Sequence, residues 1–188
     1  MSDLKNTEVE LKFPLLNSKE LMKELDEIAT KKHEEYQKDT YFDLPHRSFL
    51  ESKPIKEWLR IREGSRGHYL NYKNWHHSET EMANSCDEYE TKIDDAELLK
   101  KIFENLGIKE IIIVEKKRRT WNYKGTEVAI DVLKDGPTFI EIEAKGEFKN
   151  IEEAKKHLYQ ILNELNAKTG EQEFQGYPWL LLKKKGLI

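Results

Sequence analysis

Several segments of this chain alternate between apolar and charged residues, which is the pattern of a β-strand with one apolar face and one charged face. The first such segment spans residues 7–13, where Glu8, Glu10 and Lys12 share one side. The pattern recurs later, each time with one sign of charge predominating, at Arg60 and Arg62, Glu88 and Glu90, Lys116 and Arg118, and Glu141 and Glu143. A chain built this way must cover the apolar faces and accommodate the charged ones.

Two architectures satisfy this requirement. Residues i and i+2 of a strand lie about 7 Å apart on one face, so two like charges there repel unless a counterion intervenes. An open sheet could leave the charged face in water, where this repulsion is screened. Alternatively, the sheet could close into a barrel whose charged faces point inward, since about eight strands leave room for side chains or one small ligand.

The arginine pair favours the closed barrel. Arg60 and Arg62 carry planar guanidinium groups with several donors each, which suits bidentate recognition of phosphate. A lumen lined by both cations and anions is reasonable when it holds a polyanion together with the metal ion that accompanies it. Charged residues make up 36% of the chain, well above the ~25% typical of globular proteins.

The remaining pattern predicts an α+β fold in a single domain, residues 1–188. Strands are predicted at 7–13, 36–42, 58–62, 68–75, 85–93, 111–123, 127–133 and 138–144. Helices are predicted at 18–32, 96–106, 151–165 and 179–185. The segments 44–54 and 74–84 are predicted to be loops, because prolines interrupt the first and polar residues fill the second.

Bulk properties exclude some classes of function. The net charge of -4 argues against a general nucleic-acid binder. The position of the basic run 116–119 in an alternating strand argues against a nucleic-acid patch there. Cys86 is the only cysteine, so neither an intrachain disulfide nor a cysteine zinc site can form, and a reducing cytoplasm is expected. The first residues do not form a signal peptide, and no apolar run suggests a membrane span. His76 and His77 could form a metal pair, but a loop position explains them better.

The charged motifs, taken in order, resemble those of the CYTH superfamily, the triphosphate tunnel metalloenzymes. Glu8-Val9-Glu10-Leu11-Lys12 resembles the Glu-x-Glu-x-Lys signature that opens these proteins. The later motifs that resemble the family are 39–43 (Asp-Thr-Tyr-Phe-Asp), Leu59-Arg60-Ile61-Arg62, Lys73, Glu88-Tyr89-Glu90, the basic strand 116–121, Asp131, and 136–143 with its two glutamates. The resemblance covers nearly the whole chain.

This resemblance implies a closed eight-stranded antiparallel barrel, a triphosphate tunnel with helices packed outside. It implies that a small-molecule triphosphate is bound by Lys12, Arg60, Arg62, Lys73, Lys116, Arg118 and, as a further candidate, Lys183. It implies Mg²⁺ or Mn²⁺ on Glu8, Glu10, Asp131, Glu141 and Glu143, which offer the oxygen ligands these ions prefer. Glu88 and Glu90 either support the basic residues or contact metal.

Some points stay open within the resemblance. The basic run could present either Lys116 and Arg118 or Lys117 and Arg119, although an aromatic residue at Trp121 favours the first pair. Lys73 is the candidate for a catalytic base, if neighbouring cations depress its pKa. Gly136-Pro137 departs from the Leu-Gly pair common in cyclase-like members and weakens a cyclase assignment.

Three functions fit these residues. The first is metal-dependent hydrolysis of inorganic tripolyphosphate or of an organic triphosphate such as thiamine triphosphate. The second is a class IV adenylate cyclase that converts ATP to cyclic AMP and pyrophosphate, with base specificity in the segments 44–56 and 74–84. The third is a triphosphate- or polyphosphate-binding protein without catalysis. The expected partners exclude nucleic acid and membrane, and the protein is expected to be a monomer or homodimer.

Overall fold

A computed structural model describes residues 7–76 and 85–188 of the chain. Eight strands lie within these residues: Thr7–Pro14 (β1), Thr30–Asp43 (β2), Glu57–Gly64 (β3), Gly67–His76 (β4), Ser85–Ile93 (β5), Lys109–Tyr123 (β6), Thr126–Leu133 (β7) and Thr138–Ala144 (β8). Four α-helices accompany them: Ser18–Ile28 (α1), Ala96–Asn105 (α2), Ile151–Glu164 (α3) and Gly176–Lys184 (α4). A single turn of 3-10 helix spans Phe49–Glu51.

The strands form a closed antiparallel barrel in the order β1-β5-β4-β3-β2-β6-β7-β8. The prediction of an α+β fold with a closed eight-stranded barrel is therefore confirmed, and the open-sheet alternative is wrong. The contacts divide the chain into two compact units. The first unit comprises Tyr36–Glu115, as far as it is described, with Gln175–Ile188, and the second comprises Glu8–Glu35 with Lys116–Phe174.

In the second unit, helices α1 and α3 cover the apolar face of the strands. Leu25 from α1 and Leu158 from α3 pack with Leu11, Trp121 and Ile142 from three strands, and all of these side chains are fully buried. The indole Nε1 of Trp121 donates a hydrogen bond to Asp26 Oδ1 on α1 at 2.9 Å. Helix α1 therefore packs on the sheet through apolar contacts, and the hydrogen bond to Asp26 satisfies the buried indole N–H of Trp121.

In the first unit, helix α2 covers the apolar face of β2 and β3. Phe103 of α2 meets Phe42 of β2 edge-on, with ring centroids 5.1 Å apart, and Ile61 of β3 lies in the same cluster. Asp95 caps the helix by accepting a hydrogen bond from the Leu98 amide at 2.8 Å. Gly107, with φ of +76°, ends it in the left-handed conformation that glycine adopts readily.

Strand β2 begins earlier than the sequence pattern predicts, and this is the largest correction. The helix predicted to reach Lys32 ends at Ile28, and Ala29 is already extended. Leu21 and Leu25 complete the buried face of α1, whereas Ile28 is exposed, so a longer helix would bury nothing more. His33 instead lies in β2, and its side chain contacts that of Thr120 of β6, with Nε2 3.3 Å from Oγ1. Pairing with β6 outweighs the weak helical pattern of this segment.

Smaller corrections concern the predicted loops and the last helix. The predicted loop 44–54 contains the 3-10 turn, in which Ser48 Oγ accepts from the Leu50 amide. Residues 74–76 of the predicted loop 74–84 belong to β4, and residues 77–84 lie outside the described part of the chain. The last helix begins at Gly176 rather than at 179 and ends at Lys184. No α-helix of the described residues is long and apolar enough to cross a membrane.

Candidate functional site

The second unit carries a charged face on the side of its strands opposite to α1 and α3. Strand register places Arg118 directly across from Asp131, and Lys12 directly across from Glu141. Because side chains alternate along a strand, the apolar neighbours of Lys12 and Glu141 point to the helices, whereas these two charged residues point away. The alternation seen in the sequence therefore separates a core face from a charged face.

Asp131 is the centre of the first cluster on this face. Its carboxylate is fully buried and accepts hydrogen bonds from Arg118 Nε at 2.7 Å, Arg118 Nη2 at 2.6 Å and Lys116 Nζ at 2.9 Å. Arg118 Nη2 also reaches Glu141 Oε1 at 2.8 Å. Burial opposes the charged form of Asp131, but Arg118 and Lys116 outweigh it and lower the pKa of the carboxyl group to about 2. The aspartate is thus an anion that fixes two cations side by side.

Lys12 is the centre of the second cluster. Its Nζ lies 3.1 Å from Glu10 Oε1 and 3.0 Å from Glu141 Oε2, so one ammonium bridges two carboxylates. Lys12 and Glu10 are both buried. Glu141 contacts Lys12 through one oxygen and Arg118 through the other, and it therefore connects the two clusters.

Glu8 and Glu143 lie toward the other end of the same face. Glu143 is directly across from Glu10 in the pairing of β1 with β8, and it pairs with the ammonium of Lys145. Burial lowers the pKa of Lys145, but Glu143 first, and then Glu127 and Glu8, outweigh burial and raise it. The four predicted metal-binding glutamates thus belong to one unit and to two adjacent strands.

The first unit has a charged cluster of its own, built on Asp39. This aspartate is 1% exposed and accepts hydrogen bonds from Arg62 Nε at 2.7 Å and Arg62 Nη2 at 2.8 Å. Arg60 Nη1 approaches Asp39 Oδ2 and the Tyr41 hydroxyl, each at 3.4 Å. Asp39 therefore does for Arg60 and Arg62 what Asp131 does for Lys116 and Arg118.

Lys73, Glu88 and Glu90 lie on the neighbouring strands of this unit. Lys73 Nζ is 3.4 Å from Glu88 Oε2, and the buried Asn71 amide donates to Glu88 and, at 3.3 Å, to Glu90. Glu88 also lies 3.9 Å from Arg60 Nη2. In this structure both glutamates contact an amide, and Glu88 contacts cations as well.

Arg60 holds one buried donor that is not satisfied. Its Nε is buried and has no hydrogen-bond acceptor within reach among the described residues. Burial opposes the charge of this guanidinium, but Asp39, Tyr41 and Glu88 outweigh it and raise the pKa of Arg60 well above its usual value. A permanently charged group with an unused buried donor is a good binding partner for an external anion.

The two possible registers of the basic run are distinguished by what each pair contacts. Lys116 and Arg118 lie on the charged face with Asp131. Lys117 and Arg119 point to the other side, where both pair with Glu34, at 2.7 and 2.8 Å. These two cations hold the pKa of Glu34 at about 2, although burial opposes them.

Three other candidate residues have contacts of their own or lie in the core. The ammonium of Lys183 lies over the ring of Trp179 on α4, 4.7 Å from its centroid, and the lysine is exposed. His76 Nε2 is 3.1 Å from Asp87 Oδ2, whereas His77 lies outside the described residues. Cys86, the single cysteine of the sequence, is buried. A role for Lys183 in phosphate binding stays a prediction.

The acidic residues fit a divalent cation by their chemistry and partly by their arrangement. Within 7–76 and 85–188, no three His, Cys, Asp or Glu side chains converge as a group that could hold a metal ion. Two carboxylates, Glu10 and Glu141, do converge on a single cation, the Lys12 ammonium. Their oxygens are the ligands that Mg²⁺ and Mn²⁺ prefer, and the ammonium marks a position between them that favours positive charge.

Two residues of these clusters were not assigned a role from the sequence. Asp39 lies within a motif that resembles the family, but its contact with Arg60 and Arg62 depends on strand register. Asn71 carries no charge, so the search for charged strand faces did not identify it. An available clue was the alternation of Gln37, Asp39 and Tyr41 along β2, which predicts that all three share one face.

Comparison with known proteins identifies the family. A sequence model of the CYTH domain matches residues 6–177. A provisionally named adenylate cyclase of Methanocaldococcus jannaschii, MJ0240, is 29% identical over 161 residues, covering 85% of this chain and 88% of that protein.

Solved structures share the fold. PH1819 of Pyrococcus horikoshii OT3 is 31% identical, with a TM-score of 0.78 over 94% of this chain and 99% of that one. HpAC1 of Hippeastrum, provisionally named an adenylyl cyclase and described as having a dominant triphosphatase activity, matches with a TM-score of 0.60 over 96% and 95% of the two chains. At 17% identity, HpAC1 shows the fold alone. The ordered charged motifs and the family match agree, and this chain belongs to the CYTH domain family.

Proposed function

We propose that this protein hydrolyses a triphosphate with the help of a divalent cation, Mg²⁺ or Mn²⁺. The buried Nε of Arg60, which has no acceptor among the described residues, is the observation that carries the proposal. A buried charged donor without a partner costs free energy unless a ligand satisfies it. Membership of a family whose members are typically enzymes supports catalysis.

The proposed phosphate-binding residues are divided between the two units. In the first unit these are Arg60, Arg62 and Lys73, and in the second they are Lys12, Lys116 and Arg118. The guanidinium groups can donate two hydrogen bonds to one phosphate, whereas the lysines act as compact point charges. Buried Asp39 holds Arg60 and Arg62, and buried Asp131 holds Lys116 and Arg118, so these four groups are ordered before a ligand arrives.

The proposed metal ligands are Glu10 and Glu141, with Glu8 and Glu143 on the same two strands and Asp131 as a further candidate. A bound divalent cation would neutralise charge on phosphate oxygens and could orient a water molecule. Lys73 is the proposed residue for proton transfer, because its ammonium lies in the cluster with Arg60 and Glu88. Arg60 and Arg62 would stabilise the negative charge that develops on the departing phosphate.

Adenylate cyclase activity is the second candidate. The observation that favours it is the relative from Methanocaldococcus jannaschii, which carries the name of an adenylate cyclase and aligns along most of its length. Both activities use the same phosphate-binding residues, so they are distinguished by product. A cyclase converts ATP to cyclic AMP and pyrophosphate. A triphosphatase releases orthophosphate and leaves a diphosphate, which is pyrophosphate when the substrate is tripolyphosphate. Binding of triphosphate without turnover is the third candidate.

The test is metal-dependent release of orthophosphate from tripolyphosphate by the purified protein. We expect release with Mg²⁺ or Mn²⁺, no release after chelation, and a loss of at least about a hundredfold in Glu10→Gln, which removes a proposed ligand charge. Glu164→Gln is the matched control, because Glu164 pairs with Lys124 at the exposed surface. Equal rates in the two variants, or release that does not depend on metal, would contradict the proposal.

A further inference from the structure

The ammonium group of Lys12 lies between two carboxylates that come from neighbouring strands. Its Nζ is 3.1 Å from Glu10 Oε1 on β1 and 3.0 Å from Glu141 Oε2 on β8. Lys12 and Glu141 are directly opposite in the strand register, so the backbone fixes their separation. A single positive charge therefore bridges two acids.

Burial makes this bridge important for the metal-free protein. Lys12 is 8% exposed and Glu10 is 7% exposed, so water and salt screen their attraction poorly. Glu141 also pairs with Arg118, but without the Lys12 ammonium the facing oxygens of Glu10 and Glu141 would repel each other where water screens them poorly. Lys12 thus supplies the positive charge that lies between these two acids.

We infer that Lys12 exchanges partners when the protein is loaded. In the metal-free protein it holds Glu10 and Glu141, and it releases them when a divalent cation takes its place, so that its ammonium becomes available to a phosphate oxygen. The inference rests on the proposed function, because it takes Glu10 and Glu141 as metal ligands. One cation position cannot hold both an ammonium and a divalent ion, so Lys12 competes with metal in the absence of phosphate.

Two consequences follow from this competition. Lys12 lowers the affinity for metal as long as no phosphate is present to receive its ammonium. Phosphate removes that competition, so metal and triphosphate each strengthen the binding of the other, as reciprocity of binding free energies requires. If the role of Lys12 were only to bind phosphate, its removal would not change the affinity for metal in the absence of phosphate.

The experiment is a calorimetric titration of chelator-treated protein with Mn²⁺ in the absence of phosphate. We expect Lys12→Met to bind Mn²⁺ about tenfold more tightly than the wild type, within the 5–150-fold range of typical coupling. Lys124→Met is the matched control, since it removes one positive charge and one lysine–glutamate pair from the same unit. The gain in Lys12→Met should persist at high ionic strength, because direct competition for a ligand is screened less than charge repulsion at a distance.

Lys12→Arg gives an independent answer if Lys12→Met fails to fold, because it retains the charge. A guanidinium pairs with carboxylates through several donors, so we expect Mn²⁺ to bind this variant more weakly than the wild type. Wild-type affinity in Lys12→Met, a gain equal to that of Lys124→Met, or unweakened binding in Lys12→Arg would overturn the inference and leave the proposed function standing. Absence of Mn²⁺ binding in every protein would contradict both.

Discussion

Asp39 and Arg62 face each other across β2 and β3 and are joined by two hydrogen bonds, from Arg62 Nε at 2.7 Å and Nη2 at 2.8 Å. Arg118 and Asp131 repeat this relationship in the other unit, at 2.7 and 2.6 Å. In both cases a second cation precedes the arginine by two residues on the same strand: Arg60 precedes Arg62, and Lys116 precedes Arg118. Each buried aspartate thus allows two like charges to stand about 7 Å apart on one strand face.

Replacing Asp39 should destabilise the protein through its arginines. In Asp39→Asn, the guanidinium groups of Arg60 and Arg62 lose a shared buried counterion, and breaking such a pair typically costs about 3 kcal/mol or more. Urea denaturation measures the change in the free energy of unfolding. Asp94→Asn, an exposed aspartate, is the control and should stay within about 0.5 kcal/mol of the wild type. Similar stabilities for both variants would show that Asp39 does not neutralise the arginines.

Asp131 should make the protein acid-sensitive over a defined range. Its pKa is lowered from 3.8 to about 2, so the unfolded chain binds a proton at higher pH than the folded protein does. The stabilisation is complete above about pH 5 and decreases as the pH falls through 3.8 toward 2, by about 2 kcal/mol in total.

The slope of unfolding free energy against pH tests this assignment. Asp131→Asn should have a smaller slope than the wild type between about pH 5 and pH 2, because the titrating group is absent. Asp94→Asn again provides the comparison, with an acid limb close to that of the wild type. An unchanged slope in Asp131→Asn would mean that other carboxylates govern acid unfolding.

Arg60 should contribute directly to phosphate affinity. Arg60→Met keeps the aliphatic part of the side chain but removes the guanidinium and its unsatisfied Nε donor. Hydrogen bonds to charged groups contribute about 1.5–3 kcal/mol, so we expect tripolyphosphate to bind at least about tenfold more weakly. Calorimetry without divalent metal measures this loss. Arg66→Met, in the turn between β3 and β4, should bind nearly as the wild type does, and equal losses in both variants would contradict a specific role.

The packing of α3 on the strands should account for much of the stability of the second unit. Leu158 is fully buried, and Leu158→Ala should lower the free energy of unfolding by about 2–5 kcal/mol, because it removes apolar contacts and leaves a cavity. Leu98→Ala is the matched control, since Leu98 is 55% exposed. A loss below about 1 kcal/mol in Leu158→Ala would contradict the description of this core.

The sequence predicted the strands well because their period-two pattern is strong, but it predicted contacts between strands poorly. Alternation in 7–13 and 138–144 was sufficient to place Glu10 and Glu141 on charged faces. It could not show that Lys12 lies between them, because that depends on register. Asp39 was missed for the same reason, and the start of β2 was misplaced because pairing with β6 overrides the local pattern after Ile28.

The basic run shows how an aromatic residue on the same strand can guide sequence reasoning. Trp121 favoured Lys116 and Arg118 over their neighbours, and the structure places Lys117 and Arg119 against Glu34 on the other side. The aromatic residue was informative because its position in the apolar core fixes the face of every other residue on β6. No comparable anchor exists for Lys183, and its role is therefore still a prediction.

Product analysis with three substrates tests the central claim most directly. The purified protein would be incubated with tripolyphosphate, thiamine triphosphate and ATP, each with Mg²⁺ or Mn²⁺, and orthophosphate, pyrophosphate and cyclic AMP would be quantified. We predict metal-dependent release of orthophosphate from at least one substrate, without cyclic AMP. Cyclic AMP and pyrophosphate from ATP would instead identify a cyclase, and binding of all three substrates without any product would contradict catalysis.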